Sequence, residues 1–142
     1  MKTQHSKHIV LFLLAIAGLT FSFTFKKSAM QDKKPWPVPE TAMKMKNPVK
    51  NDAEAITIGK SLYAKHCKSC HGKKGEGDGT KAAELKTAPG DFTSKEFQSQ
   101  PDGELFYKIR EGREDFPSFK KKIPEADDIW SIVHYVRTLK AE

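Results

Sequence analysis

Cys67-Lys68-Ser69-Cys70-His71 is the stretch on which the fold of this chain turns. Two thiols two residues apart, with a histidine directly after the second, form the spacing that carries a c-type haem. Each sulfur can add across one vinyl group of the porphyrin as a thioether, and the adjoining imidazole is then held against the iron. The chain has two cysteines in all, so haem attachment uses both and leaves none for a disulfide. Two rivals fit the surroundings less well. A thioredoxin-type dithiol needs a strand before it in a βαβ setting, whereas the residues ahead of Cys67 have helical spacing. A zinc site needs four ligands, usually from a second Cys or His pair, and none follows at a regular spacing.

Upstream of the motif, a helix is predicted from Asn51 to Cys67, with Asn51 and Glu54 as a capping-box pair. Gly59 and Tyr63 lie one turn apart on one of its faces. A glycine inside a helix costs up to about 1 kcal/mol against alanine, so a crossing helix is expected to come close at Gly59. Downstream, Gly72-Lys73-Lys74-Gly75-Glu76-Gly77-Asp78-Gly79 excludes regular structure and allows positive-φ turns. A phosphate loop would end in G-K-[ST] after a strand, which this stretch does not.

Ala82 to Lys86 reads as a short helix and Thr87-Ala88-Pro89-Gly90-Asp91-Phe92 as loop. Pro101 then suits the first position of a helix, with Ser99 and Asp102 as cap and acidic partner, Leu105, Phe106 and Ile109 as its apolar face, and Gly112 as its end. After the loop from Arg113 to Ile123, Pro124, Glu125, Asp127 and Asp128 open the last helix with acids at its positive end. Ile129, Ile132, Val133, Val136 and Leu139 form its apolar stripe, with Trp130 and Tyr135 expected to flank it and His134 to lie on the surface. No segment alternates with period two. The region 51–142 is therefore expected to be an all-α domain of short helices, with the cofactor supplying part of its core.

The N-terminal part differs in character. Met1 to His8 carries Lys2 and Lys7 and no acid, and leads into the apolar run Ile9 to Phe25. That run of 17 residues would span about 25 Å as a helix against a hydrocarbon core of about 30 Å. Residues 1–25 thus read as a signal peptide or membrane anchor, with cleavage and retention both open. The expected location of the remainder is the periplasm or the outer face of the cytoplasmic membrane. Residues 26–50, with Pro35, Pro37, Pro39 and Pro48, read as a Pro/Lys-rich linker arm, within which Trp36 is expected to pack on the domain. Without the first 25 residues the net charge falls from +7 to +5. A modest positive balance suits an acidic redox partner. The dispersed basic residues argue against nucleic acid, and membrane contact is expected only if the N-terminal segment is retained.

From Asp52 to Leu139 the chain resembles the class I cytochromes c, in their small mono-haem bacterial form. The residues that carry the resemblance are Gly59 and Tyr63, the Cys67 to Gly72 motif, the glycine loop, Pro89-Gly90-Asp91-Phe92, and the helices over Leu105 to Gly112 and Trp130 to Leu139. It implies one covalently bound haem c, held by Cys67, Cys70 and His71 with His71 as the metal ligand. It also implies that the first and last helices cross near Gly59, Ile132 and Tyr135, and that the Pro89 carbonyl takes the proton of the proximal histidine. One departure stands out. The family places a methionine before a proline in the loop ahead of the last helix as sixth iron ligand, and here Asp115-Phe116-Pro117 occupies that place. Phenylalanine offers iron no lone pair. Met43 or Met45 folding over, a nitrogen donor such as His134 or a lysine among Lys120 to Lys122, or an open position remain as outcomes. The implied function is electron carriage between redox proteins, with no catalytic residues assigned. The alternative is a haem enzyme or gas-binding sensor with an open sixth position.

Overall fold

The computed structural model describes residues 36–114 and 116–141. The chain divides into two compact units, Met1–Lys34 and Pro35–Glu142. The first, with the predicted export segment, lies outside the described residues, as does Asp115. The second is helical. Its elements are α1 (Glu40–Met43), α2 (Ala53–His66), α3 (Lys68–His71), a 3-10 turn (Ala82–Glu84), α4 (Lys95–Gln98), α5 (Asp102–Glu111) and α6 (Ala126–Arg137). Among the described residues the one extended pairing is an isolated bridge between Arg113 and Phe116, and no helix is long and apolar enough to cross a membrane.

Local chemistry sets the helix ends, in places one residue away from the sequence expectation. Asp52, not Asn51, caps α2: its backbone is extended and its side chain accepts from the Ala55 N–H at 3.1 Å. Pro101 stands just outside α5, with ψ at 146°, while Ser99 closes α4 instead, its hydroxyl donating to the Glu96 carbonyl. Gly112 closes α5 at φ +67°, as its position suggested. Helix α4 lies between the predicted loop ending at Phe92 and the predicted helix start at Pro101, where no element is predicted. Ser94 starts it, accepting from the Phe97 N–H at 3.2 Å.

The core is built on the crossing of α2 and α6. A Cβ on Gly59 would collide with the Ser131 carbonyl and stand 3.0 Å from the Ile132 nitrogen, so only glycine lets the two backbones come this close. Helix α6 is buried far beyond one stripe, from Ile129 through His134 and again at Val136. Trp130 does not flank the core but lies inside it, stacked on Phe106 with ring centroids 4.1 Å apart. His134 is buried as well, and its Nε2 donates to the Val49 carbonyl at 2.8 Å. The reason is the arm: residues 36–50 cover the side of α6 that the helical period alone assigns to water.

Polar side chains tie the remaining short elements to α6. Gln98 Nε2 donates to the carbonyls of Phe92, at 2.7 Å, and Val136, at 3.0 Å. Arg137 reaches Asp102 and the carbonyls of Gln98 and Gln100. The segment carrying Phe92 is thereby fixed beside the motif.

Candidate functional site

Cys67 interrupts the helical path at φ −114°, and α3 then carries Ser69, Cys70 and His71 round a single turn. The Cys67 carbonyl accepts from the N–H groups of Cys70, at 3.1 Å, and His71, at 2.9 Å. One turn thus presents two thiols and an imidazole together. The glycine loop folds back on it: Gly77 donates to the His71 carbonyl at 3.0 Å, Gly79 to Cys70 at 3.0 Å, and Lys81 to Ser69 at 2.8 Å. Gly77 sits at φ +80°, where L side chains are strained. From α2, the Tyr63 hydroxyl donates to the Gly72 carbonyl at 2.8 Å and fixes the residue after the histidine.

The His71 ring lies against Phe92, with centroids 4.0 Å apart and planes 23° from parallel. Its Nδ1 faces the Gly90 carbonyl at 3.4 Å. The carbonyl beside the histidine therefore belongs to Gly90 and not to Pro89, because Pro89 turns its oxygen toward Gly77, 2.7 Å from where a Cβ there would stand. With the Nδ1 proton directed at a carbonyl, Nε2 is the nitrogen left for a metal. Burial pushes His71 down to about 4, against the opposing pull of the Gly90 carbonyl. At neutral pH the ring is thus an uncharged base, the form that ligates a metal. Burial, and next the neighbouring Cys70, push the Cys67 thiol up to about 12. The two sulfurs are not bonded to each other.

The loop after Gly112 approaches the residue ahead of the motif. Arg113 and Phe116 exchange backbone hydrogen bonds at 2.9 and 2.8 Å, and Phe119 donates to the Ile109 carbonyl at 3.2 Å. The Phe119 ring meets His66, the residue before Cys67, edge-on at 5.9 Å. Phe116 packs against Trp36 at 5.7 Å, as expected of a tryptophan that joins the domain. The candidates for a sixth ligand are dispersed. Met43 and Met45 are 38% and 42% exposed. Met45 lies against Gly103 at the start of α5, about 13 Å of helix away from the Gly112 end. His134 is engaged with Val49, Lys120 pairs with Glu111 at 3.5 Å, and the Lys122 ammonium lies over the Phe119 ring at 5.7 Å. Among the described residues no group of three or more His, Cys, Asp or Glu side chains could hold a metal ion on its own.

Residues 54–136 match the family model of cytochrome c oxidase, cbb3-type, subunit III, which is more than half of the chain. The chain belongs to this family. A solved chain of the reducing HAO-like protein complex of Kuenenia stuttgartiensis has a similar structure, with a TM-score of 0.61 and 27% identity over 80% of this chain and 54% of that one. This chain accordingly spans little more than half the length of that neighbour. No curated protein matches the sequence.

Membership makes this a small c-type cytochrome with an all-α cytochrome c domain and implies a c-type haem and electron transfer. The residues present fit that group: thiols and a neutral imidazole on one turn, with a carbonyl behind the imidazole.

Proposed function

We propose that this protein is a mono-haem c-type cytochrome that passes single electrons between redox partners on the exported side of a membrane. The observation that carries the proposal is the Cys67 to His71 turn, where both thiols and a neutral imidazole come from one backbone turn. Haem bound there supplies a one-electron iron couple. Cys67 and Cys70 would hold the ring as thioethers and His71 would bind through Nε2, with the Gly90 carbonyl keeping the Nδ1 proton in place. Phe92 stacks on the imidazole and orients it, and Phe119 packs edge-on against His66. A haem stain after denaturing electrophoresis tests the attachment. Stain that survives in the native chain and vanishes in a C67S/C70S double variant is expected; an unstained native chain, made in a host with cytochrome maturation, would refute it.

Lys68, Lys73, Lys74 and Lys81 are exposed around the motif, with Glu76 and Asp78 between them. This modest basic excess suits an acidic redox protein. The apolar run Ile9 to Phe25 supports export to the periplasm or the outer membrane face. A second function, as a haem enzyme or gas-binding sensor, is favoured by Phe116, which puts an aromatic ring where a sulfur ligand is expected.

A further inference from the structure

Between two of its attachments to the motif, the glycine loop carries a single acidic side chain. Gly77 donates to the His71 carbonyl and Gly79 to that of Cys70, each at 3.0 Å, so Asp78 is held by a backbone bond on either side. Its carboxylate is turned back onto the motif. A Cβ on Gly72 would collide with Asp78 Oδ1, so that oxygen fills the space where a side chain after the histidine would stand. Glycine at 72, with φ +80°, leaves the space to it. Glu76, two residues earlier, is placed differently: it lines a groove with Lys73, Lys74 and Leu139.

The Asp78 charge is felt inside the fold. Tyr63, whose hydroxyl donates to the Gly72 carbonyl at 2.8 Å, has its pKa raised first by burial, then by the charges of Cys67 as a free thiol and Tyr135, and then by Asp78. The lysines around the motif do not offset this charge one for one. Lys68, Lys73, Lys74 and Lys81 are exposed on long stems, and their charges are spread over many rotamers in water. Asp78 is exposed too, but its stem is short and its backbone is fixed. Reduction lowers the charge at a haem iron by one. An anion seated beside the proximal histidine therefore favours the ferric form, since the charge around a redox centre is one of the quantities that set its potential.

We propose that Asp78 is a tuning residue: its carboxylate, seated on Gly72 beside the proximal histidine, holds the reduction potential of the haem iron below the value that the same ligands would give without it. The proposal rests on haem attachment at Cys67 and Cys70 with His71 on the iron. It gives the glycine loop a second task besides holding the turn, because the loop also fixes where one negative charge stands.

The test is a redox titration of the holoprotein at low salt, read by its optical spectrum. Asp78→Asn keeps the shape and removes the charge. Its midpoint potential should rise, with the equilibrium constant for reduction growing about two- to tenfold, as for one partly screened unit charge. The gap from the native protein should narrow as salt rises. Asp78→Glu keeps the charge and should stay close to the native value. Glu76→Gln removes an equal charge from the groove and should move the potential much less. An unchanged or lowered potential in Asp78→Asn would overturn the proposal. So would an equal rise in Asp78→Glu, which would make the effect one of packing, or an equal rise in Glu76→Gln, which would make it one of net charge. A spectrum altered in Asp78→Asn would trace the shift to ligation and overturn it as well. A native chain without covalent haem would refute the attachment and the proposal together, whereas attached haem with an unmoved potential would refute the proposal alone.

Discussion

Between Gly72 and Phe92 the chain sends backbone bonds to the motif itself, while between Gly112 and Ile123 the backbone bonds run within the loop and to α5, and a ring contact is what reaches the residue before the motif. The first loop returns N–H groups to the carbonyls of His71, Cys70 and Ser69. Its glycines are there because other residues would strike Pro89, Ser69 or Cys70. The second returns its N–H groups to Ile109, Arg110 and its own residues, and meets the stretch ahead of the motif through the Phe119 ring against His66. Backbone pairing gives one geometry with little play, suited to holding a ligating imidazole at a fixed angle. Ring contacts of about 5 to 6 Å tolerate rearrangement at a cost of order 1 kcal/mol. The two loops thus meet the motif through different interactions.

Both loops depend on the helix crossing beneath them, so the largest effect is expected there. Gly59→Leu should cost about 3 kcal/mol or more, at or beyond the top of the range for overpacking, because the added side chain meets the Ser131 backbone. An unchanged melting temperature of the holoprotein would show that the crossing is not as close as described. Gly77→Ala comes next and addresses the rigid loop. It places an L side chain at φ +80° against the Pro89 carbonyl, at a cost of about 1 to 2 kcal/mol from the backbone conformation alone. The iron spectrum should change with it, since Gly77 holds the His71 carbonyl. A variant with native stability and spectrum would put the two loops on an equal footing.

Tyr63→Phe sharpens the comparison more gently. It removes the hydroxyl that serves the Gly72 carbonyl, and an unserved buried acceptor costs about 1 to 3 kcal/mol. Burial raises the Tyr63 pKa above the usual tyrosine value of about 10, with the charges of Cys67 as a free thiol, Tyr135 and Asp78 adding to it. A folded pKa above the unfolded one means that stability is complete below pH of about 10 and falls as pH rises above it. Alkaline titration of stability should therefore show a fall in the native chain that is smaller in Tyr63→Phe. The smallest effect concerns the surface. Association with an acidic redox protein should slow as salt rises, but weakly, because Glu76 and Asp78 dilute the lysines around the motif. A rate indifferent to salt would favour apolar docking.

The sequence showed the rigid side better than the adaptable one. The Cys67 to His71 motif, the glycine loop and the close approach at Gly59 each leave a local trace, because only certain residues permit them. The choice of Gly90 over Pro89 as the carbonyl beside His71 leaves none, since it depends on which way one peptide faces. Trp130 and His134 were misplaced for a different reason: their partners lie far off in sequence, His134 meeting Val49 across 85 positions. Periodicity within α6 contains no record of an arm arriving from outside. Trp36 was conspicuous among prolines and lysines, yet nothing near it in sequence names Phe116 as its seat.

Covalent attachment at the motif is the claim on which the rest depends, and peptide mapping of the holoprotein tests it most directly. After proteolysis, the peptide containing Cys67 to His71 should carry the mass of one haem, absorb in the Soret region, and resist thiol alkylation at both cysteines. A haem-free peptide with two alkylatable thiols, or with a Cys67–Cys70 disulfide, would contradict it.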